Sequence, residues 1–310
     1  MELNLPGKVR NYNDRKWLKL LVASIKKPVI KGIEFPRFPS DEIQTMCVGS
    51  ANKHSLMEAF SFYQFFKKEA LSALNPVSVQ SRFLDFGCGW GRYLRFFWKD
   101  VDIDNLYGCD INDMIVDLCH SLNVPGKIDK IEPLGRFPYS DSFFDSVMAY
   151  SVFTHLPENV HLHWVNELAR VTRPGGIFIL TLEPRRFMDF IADTPPSDNS
   201  WYQELSAHKP NLPDYYREFD AGNLVFMPTN KGIEDFYGDA VVPLSYIEEN
   251  WSPYFEVINY LDDPDQFWQA VLVVRRTDQS PSRTRINLPT ATESRIQRYQ
   301  VLNHLPLAYG

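Results

Sequence analysis

The stretch FLDFGCGWGR, residues 83–92, decides how this sequence is interpreted. It places three glycines at alternate positions, Gly87, Gly89 and Gly91, directly after an apolar run that carries Asp85. Glycine loses more conformational entropy on folding than any other residue, so three in one turn predict a backbone that must approach something closely. Between a parallel strand and the next helix, that partner is a ligand at the positive end of the helix.

The spacing of the glycines separates two classes of ligand. The dinucleotide fingerprint is Gly-x-Gly-x-x-Gly, whereas here the third glycine comes one residue early and Arg92 occupies the position that the fingerprint requires. Asp85 would repel a pyrophosphate, and it suits a ligand that carries an ammonium group. The turn therefore favours S-adenosylmethionine over a dinucleotide, with the methionine moiety beside the glycines.

A second acid supports this interpretation. Asp110 ends the apolar run NLYGCD (105–110), roughly 20 residues past the turn, where an adenosine ribose offers its hydroxyls to a carboxylate. The alternative role is to cap the helix that begins near Asn112. Taken alone, Asp110 favours neither role, and together with the glycine turn it favours the ligand.

Strands and helices alternate around the turn. The predicted strands are 82–86, 105–110, 127–131, 143–153, 177–182, 254–261 and 267–276, and the predicted helices are 54–74, 93–98, 113–122 and 158–173. Alternation at this spacing predicts βαβ units, with a parallel sheet between two layers of helices. The last two strands flank the turn DDPD (262–265), which predicts an antiparallel pair at the sheet edge. The fold class is therefore α/β, a Rossmann-like, seven-stranded and mostly parallel sheet.

The pattern predicts five parts along the chain. Residues 184–243 are rich in proline, aspartate, asparagine and aromatic residues without clear periodicity, which indicates an inserted cap. The parts are an N-terminal helical lid (1–75), a cofactor-binding core (76–183), the inserted substrate cap (184–243), two strands completing the core sheet (244–276) and a polar tail (277–310). The cap carries Trp201, Tyr202, Tyr215 and Tyr216, aromatic side chains of the kind that stack on sugar or aryl rings.

Composition limits the classes of partner. The formal net charge of −7 over 310 residues argues against nucleic acid, which normally binds to a basic surface. The four cysteines form no Cys-x-x-Cys pair and predict reduced thiols in a cytoplasmic protein. The N-terminus lacks a signal peptide pattern. Its basic stretch admits peripheral contact with a membrane surface, although a helix packed on the main domain is favoured.

Four segments in this order and spacing, LDFGCGWGR, YGCDIND, FDSVMAYSVFTHL and ELARVTRPGGIFILT, resemble the class I S-adenosylmethionine-dependent methyltransferases. The resemblance covers about residues 55–183 and extends loosely to residue 276. It implies roles for nine residues: methionine binding by Asp85, Gly87, Cys88, Gly89 and Gly91, ribose binding by Asp110, adenine contact by Ile111, and a place beneath the methyl group for Tyr150 and Ser151. The residue that would bind the adenine amine has no match here.

Methyl transfer to a hydroxyl needs alignment and a base. The sulfonium methyl is already activated, so the protein must align the acceptor and remove its proton. His155, just past the fourth core strand, is the favoured base, with capping of the turn before Pro157 as the equally weighted alternative. Glu183 is the second candidate. Enzymes that bind magnesium here carry an acidic pair, whereas this chain reads Glu183-Pro184-Arg185, so no metal is predicted.

The sequence thus predicts a methyltransferase that modifies a hydroxyl of a small molecule or glycan. Segments before the turn, FPSDEI and VGS, also resemble bacterial methyltransferases of glycan and secondary-metabolite pathways. The alternative is a catalytically silent protein of the same fold that acts as a binding or scaffold subunit. A nicotinamide-dependent oxidoreductase is disfavoured by the glycine spacing.

Overall fold

A computed structural model describes residue 5, residues 7–228 and residues 236–279. The helices are α1 Gly7–Arg10, α2 Asp14–Ser24, α3 Asp41–Val48, α4 Asn52–Ser72, α5 Arg92–Phe97, α6 Asp113–Ser121, α7 Glu158–Val171, α8 Arg186–Asp193, α9 Ser200–Ala207, α10 Leu212–Asp220 and α11 Leu244–Asn250. The strands are β1 Val29–Ile30, β2 Ile33–Glu34, β3 Phe83–Phe86, β4 Leu106–Asp110, β5 Lys127–Lys130, β6 Phe144–Ala149, β7 Thr172–Leu182, β8 Val225–Pro228, β9 Gly238–Val241, β10 Phe255–Leu261 and β11 Ala270–Arg276.

The main sheet has seven strands in the order β10-β11-β7-β6-β3-β4-β5. Strand β3 pairs parallel with β4 and β6, and β4 pairs parallel with β5. Strands β10 and β11 form an antiparallel pair, and β11 is also antiparallel to β7. The seven-stranded, mostly parallel α/β sheet predicted from the sequence is confirmed, as is the antiparallel pair around DDPD.

The chain forms two compact units. Among the described residues, the first holds those up to Glu132 together with Phe143–Met148, and the second holds Pro133–Ser142 and those from Ala149 to residue 279. In the first unit, Phe66, Phe83 and Phe97 pack on one another, with the Phe83 and Phe97 rings 4.0 Å apart. This aromatic packing fixes β3 between helices α4 and α5, and the glycine turn follows β3 directly.

A charged network ties the N-terminal helix α2 into the first unit. Lys67 of α4 donates to Asp14 of α2 at 2.8 Å, and the buried Lys99 lies 3.0 Å from the same carboxylate. The Tyr63 hydroxyl also hydrogen-bonds Asp14 and Asp100. Because these charges are partly withdrawn from water, their attraction is screened less than that of surface pairs. Helix α2 is thus packed against the first unit, as the sequence analysis favoured. The role of residues 1–75 as a lid remains a prediction. Residues 1–4 and 6 lie outside the described part.

The segment predicted as a cap folds around its own small core in the second unit. Helices α8, α9 and α10 and the hairpin β8–β9 occupy it, and residues 229–235 lie outside the described part. Its buried apolar cluster comprises Phe187, Met188, Ile191, Leu205, Leu212, Val225, Met227 and Val241. Coverage of an acceptor by this segment remains a prediction, and the tail is described only to residue 279.

Several boundaries differ from the sequence-based prediction, and two of these differences have a clear local cause. Helix α7 ends at Val171 and β7 begins at once at Thr172, ahead of the Pro174-Gly175-Gly176 stop signal. Thr172 is β-branched and takes an extended backbone, which favours a strand. Strand β6 ends at Ala149, earlier than predicted, because the following residues turn into a short 3-10 helix at Phe153–His155. Among the helices described, none is long and apolar enough to cross a membrane.

Replacing Gly91 by alanine should strongly destabilise the protein. A Cβ there would lie 2.3 Å from Cγ1 of Val124, and the backbone φ is +74°. A left-handed backbone costs alanine about 1–2 kcal/mol, and overpacking adds about 1–3 kcal/mol. We expect Gly91→Ala to lower the free energy of unfolding by roughly 2–5 kcal/mol, measured by urea denaturation with tryptophan fluorescence.

The matched control is Gly32→Ala. Gly32 has a similar φ of +78°, but nothing lies within 4 Å of its Cβ position. It should therefore lose only the backbone part, about 1–2 kcal/mol. Equal losses in the two variants would contradict a cost from the Val124 contact.

Candidate functional site

The glycine turn adopts a backbone that only glycine takes easily at three positions. Gly87, Gly89 and Gly91 have φ values of 71°, 50° and 74°. Nothing lies within 4 Å of a Cβ built on Gly89, whereas Gly91 packs against Val124. Gly89 therefore leaves open space where a side chain would stand, and Gly91 permits the close packing of helix α5. Open space at Gly89 and close packing at Gly91 fit a turn that binds a ligand on the Gly89 side.

Asp110 is held at the end of β4 by backbone amides. The N–H of Gly89 donates to its Oδ2 and the N–H of Asn112 to its Oδ1, both at 3.0 Å. Burial raises the pKa of Asp110, and the amide hydrogen bonds from Asn112, Gly89 and Ile111 act in the opposite direction. The cap of helix α6 is Asn112, whose side chain accepts from Met114 N at 3.0 Å. Each Asp110 oxygen keeps acceptor capacity for a further donor such as a ribose hydroxyl.

Asp85 is buried in β3 with one unsatisfied oxygen. The residue is 1% exposed, and its Oδ2 has no hydrogen-bond partner among the described residues. Desolvation raises the pKa of Asp85 to about 8, with the positive charge of Arg92 acting to lower it and Asp110 to raise it. A buried acid in this condition gains most from a ligand that brings a cation or hydrogen-bond donors.

Three buried thiols lie in and around the glycine turn. Cys119 Sγ donates to Gly89 O at 3.1 Å, and Cys88 Sγ lies 3.7 Å from the same oxygen. A hydrogen bond to Cys119 and burial raise the pKa of Cys88 well above its usual range, and burial does the same for Cys109. The raised pKa values keep the Cys88 and Cys109 thiols protonated. Ile111 and Tyr150, placed by resemblance at the adenine and the methyl group, are half-buried.

A buried polar cluster lies in the second unit where β7 ends. Ser151 has a left-handed backbone with φ 57°, and its N–H donates to Thr181 Oγ1 at 2.7 Å. Gln269 Nε2 donates both to Ser151 Oγ at 3.0 Å and to Glu183 Oε1 at 2.9 Å. Desolvation raises the pKa of Glu183 to about 7. Non-glycine residues with positive φ occur disproportionately at functional sites, and Ser151 is one.

Gln269 is the site residue that sequence analysis missed. The antiparallel register pairs Ala270 with Leu182, so the residue before β11 stands opposite the residue after β7. That register brings Gln269 to Glu183. The only sequence signal was the predicted antiparallel edge pair, which fixes neither the neighbouring strand nor the register.

His155 is oriented by a backbone carbonyl. Its Nδ1 lies 2.9 Å from Gly238 O and 3.6 Å from Oδ1 of Asp239, and its ring stacks on Tyr237. A carbonyl only accepts, so Nδ1 carries the proton and Nε2 is the basic nitrogen of the neutral ring. The backbone at Gly238 is closely packed, because a Cβ there would lie 2.3 Å from Met227 O. This is the arrangement that a general base needs.

The predicted substrate aromatics contact the core of their own segment. Trp201, Tyr215 and Tyr216 pack against its apolar cluster, and the Tyr216 hydroxyl donates to Asp189 at 2.7 Å. Tyr202 lies beside Trp201 with ring centroids 5.2 Å apart. All four are half-buried, so each keeps an exposed portion, and their role in binding a substrate remains a prediction.

His161, another histidine of the second unit, is part of the buried core. His161 is fully buried, accepts a hydrogen bond from Trp251 Nε1 at 3.1 Å, and has its pKa lowered to about 3 by burial.

Throughout the part of the chain that the structure describes, no group of three or more His, Cys, Asp or Glu side chains is placed to hold a metal ion.

Known proteins resemble this chain over part of its length. One of the curated relatives is a tRNA (carboxymethyluridine(34)-5-O)-methyltransferase of Arabidopsis thaliana, which is 31% identical over 125 residues, or 40% of this chain and 29% of that protein. Another is cycloartenol-C-24-methyltransferase 1 of Oryza sativa subsp. japonica, which is 30% identical over 132 residues, or 41% of this chain and 36% of that protein. The matches span about a third of each relative's length.

A similar solved structure is an S-adenosylmethionine-dependent methyltransferase from Clostridium acetobutylicum. The comparison has a TM-score of 0.47 and 10% sequence identity, and it covers 70% of this chain and 91% of that one.

The family model described as a methyltransferase domain matches residues 84–180. That range begins in β3, includes the glycine turn and Asp110, and ends in β7. The methyltransferase resemblance predicted from the sequence is thereby confirmed over this range. Over these residues the chain is similar to the methyltransferase domain family.

Proposed function

We propose that the protein transfers the methyl group of S-adenosylmethionine to a hydroxyl of a small molecule or glycan. The observation that carries the proposal is the orientation of His155, whose Nδ1–H on Gly238 O leaves Nε2 as the basic nitrogen. A hydroxyl has a high pKa, so its methylation gains from a positioned base, by about 10²–10⁴-fold. The relatives' names refer to tRNA and to a sterol. The net charge of −7 supports a small acceptor over tRNA for this chain.

The residues of the first unit fit the cofactor. S-adenosylmethionine supplies a methyl group that its sulfonium has already activated. Asp110 would accept the ribose hydroxyls with oxygens already oriented by two backbone amides, so little reorganisation accompanies binding. Asp85, with its unsatisfied Oδ2, would hold the ammonium group, and the open side of Gly89 would admit the ligand.

The residues of the second unit handle the acceptor in this proposal. His155 removes the acceptor proton at Nε2 while its Nδ1–H keeps the ring oriented. Asp239, whose carboxylate lies 3.6 Å from Nδ1, stabilises the imidazolium that forms. Glu183 is the second candidate base, because burial raises its pKa to about 7, close to the working range of a base.

Asp110→Asn should weaken S-adenosylmethionine binding roughly tenfold or more, because one acceptor oxygen and the charge are lost. Isothermal titration calorimetry measures the change. The control is Asp113→Asn, which removes a neighbouring exposed carboxylate that pairs with Lys130 at 2.8 Å, and it should bind as the parent does. Thermal midpoints without ligand separate lost binding from lost folding. Parental affinity in Asp110→Asn would remove Asp110 from the cofactor site.

The affinity for S-adenosylmethionine should rise with pH up to about 8. Asp85 has its pKa raised to about 8, so it is neutral below that pH and attracts the ammonium group only above it. One ionisation changes affinity by at most about tenfold per pH unit. Calorimetry between pH 6 and pH 8 (roughly the range where Asp85 gains charge) tests this expectation.

Two controls isolate Asp85 in that experiment. Methylthioadenosine lacks the amino-acid part of the cofactor, so its affinity should stay flat over the same pH range. In Asp85→Asn the pH dependence for S-adenosylmethionine should disappear. A parental slope in that variant would assign the titration to another group.

His155→Gln should bind the cofactor normally and turn over about 10²–10⁴-fold more slowly. The glutamine amide still donates to Gly238 O, but it accepts no proton at neutral pH. Labelled methyl transfer is measured first on hydroxylated sugars, lipid-linked glycans and phenols, and then on the acceptor found. The control is His163→Gln, whose parent ring also meets a backbone carbonyl, Gly135 O at 2.8 Å. Near-parental turnover in His155→Gln would make His155 structural and leave Glu183 as the base.

A further inference from the structure

The polar cluster at the end of β7 is linked by one side chain. Gln269 Nε2 shares its hydrogens between Ser151 Oγ and Glu183 Oε1. Ser151 Oγ also lies 3.4 Å from Thr154 Oγ1. The cluster therefore joins the residue that the resemblance places beneath the methyl group to a buried carboxyl group.

Two oxygens of this cluster have no hydrogen-bond partner among the described residues. They are Oε2 of Glu183, a residue that is only 6% exposed, and Oε1 of Gln269. Leaving a buried acceptor unsatisfied costs about 1–3 kcal/mol. Two such atoms on side chains that hydrogen-bond each other indicate a place where a ligand brings donors.

We propose that Glu183 and Gln269 form a subsite that accepts hydrogen bonds from two neighbouring hydroxyl groups of the methyl acceptor. Such a vicinal diol occurs in sugars and other polyols. This inference rests on the proposed function and narrows its acceptor class. Ser151 and Gln269 are half-buried, so the two buried oxygens lie beside side chains that keep an exposed portion. The two acceptor oxygens belong to groups joined by a single 2.9 Å hydrogen bond, a spacing that adjacent hydroxyls can bridge.

The chemistry of the pair favours hydroxyls over charged groups. When Glu183 is ionised, both open atoms are acceptors, so an anionic or carbonyl group finds no donor in them. One of the two acceptors belongs to the neutral carboxamide of Gln269. An ammonium group is stabilised mainly by negative charge, so it gains little from that acceptor. The guanidinium of Arg186 acts on Glu183 electrostatically and further opposes a cation. Hydroxyl donors satisfy both oxygens without adding charge.

Arg186 positions the loop that carries Gln269. Its guanidinium pairs with Asp262 at the start of the loop and donates to Phe267 O and Trp268 O at its end. Gln269 follows Trp268 directly and is fixed on its other side by the pairing of β11 with β7. The carboxamide is thus held from both sides before any ligand arrives, which lowers the entropy lost on binding.

Small probes test the subsite without knowledge of the acceptor. The full chain is saturated with S-adenosylhomocysteine, and ligand-detected NMR measures the affinities of cis-1,2-cyclohexanediol, trans-1,2-cyclohexanediol, cyclohexanol and cyclohexylammonium. One diol should bind about 2–10-fold more tightly than cyclohexanol, the gain expected from one further hydrogen bond. In Glu183→Gln and in Gln269→Leu that preference should vanish.

Matched controls keep the test specific. Gln266→Leu removes a glutamine of the same loop that hydrogen-bonds only Asp263 among the contacts seen, and Glu256→Gln removes an exposed carboxylate of β10. Both should keep the parent's preference for the diol. Thermal midpoints identify any variant that fails to fold, and Glu183→Gln, which preserves side-chain shape, then carries the test alone.

Three outcomes overturn the subsite. The parent binds neither diol better than cyclohexanol, or cyclohexylammonium binds most tightly, or the preference survives in both Glu183→Gln and Gln269→Leu. Calorimetry with S-adenosylhomocysteine separates this result from failure of the proposed function. A parent that binds the nucleoside but shows no diol preference refutes only the subsite, whereas a parent that binds no such nucleoside refutes the methyltransferase proposal itself.

Discussion

A carboxyl group that leaves water must be hydrogen-bonded, paired with a cation or protonated, and this constraint governs the candidate residues in each of the two units. Asp110 meets it with backbone amides from Gly89 and Asn112, which tie the glycine turn to the start of helix α6. Asp85 and Glu183 meet it only in part, and burial raises their pKa values to about 8 and about 7. Asp110 is thus satisfied by the turn that it shapes, whereas Asp85 and Glu183 each keep one oxygen without a partner among the described residues.

The sequence predicts the first unit's site well because that site is local. Asp85 and the three glycines belong to one strand–turn–helix segment, and Asp110 ends the strand paired in parallel with it. Hydrophobic periodicity and glycine spacing suffice for such a segment. The centre of the sheet is predictable for the same reason, since β3, β4 and β6 are short apolar runs that are each followed by a helix.

The second unit resists prediction because its contacts come from distant parts of the chain. Gln269 meets Glu183 through a strand register, and His155 meets Gly238 across 83 residues. The inserted segment also hides its helices, since α9 has 8 residues and α10 has 9, which is too short for clear periodicity. Its order comes from packing around Met227 and its neighbours, which sequence patterns do not reveal.

The unsatisfied acids also set how stability depends on pH. Glu183 ionises near 4.5 when unfolded and near 7 in the native protein, so between these values the unfolded state binds fewer protons. Stability therefore falls as the pH rises through this window, and Asp85 contributes in the same direction up to about 8. A ligand that supplies donors to these carboxyl groups reverses part of that loss. By linkage, any ligand that binds these carboxyl groups in the native protein stabilises the fold as well.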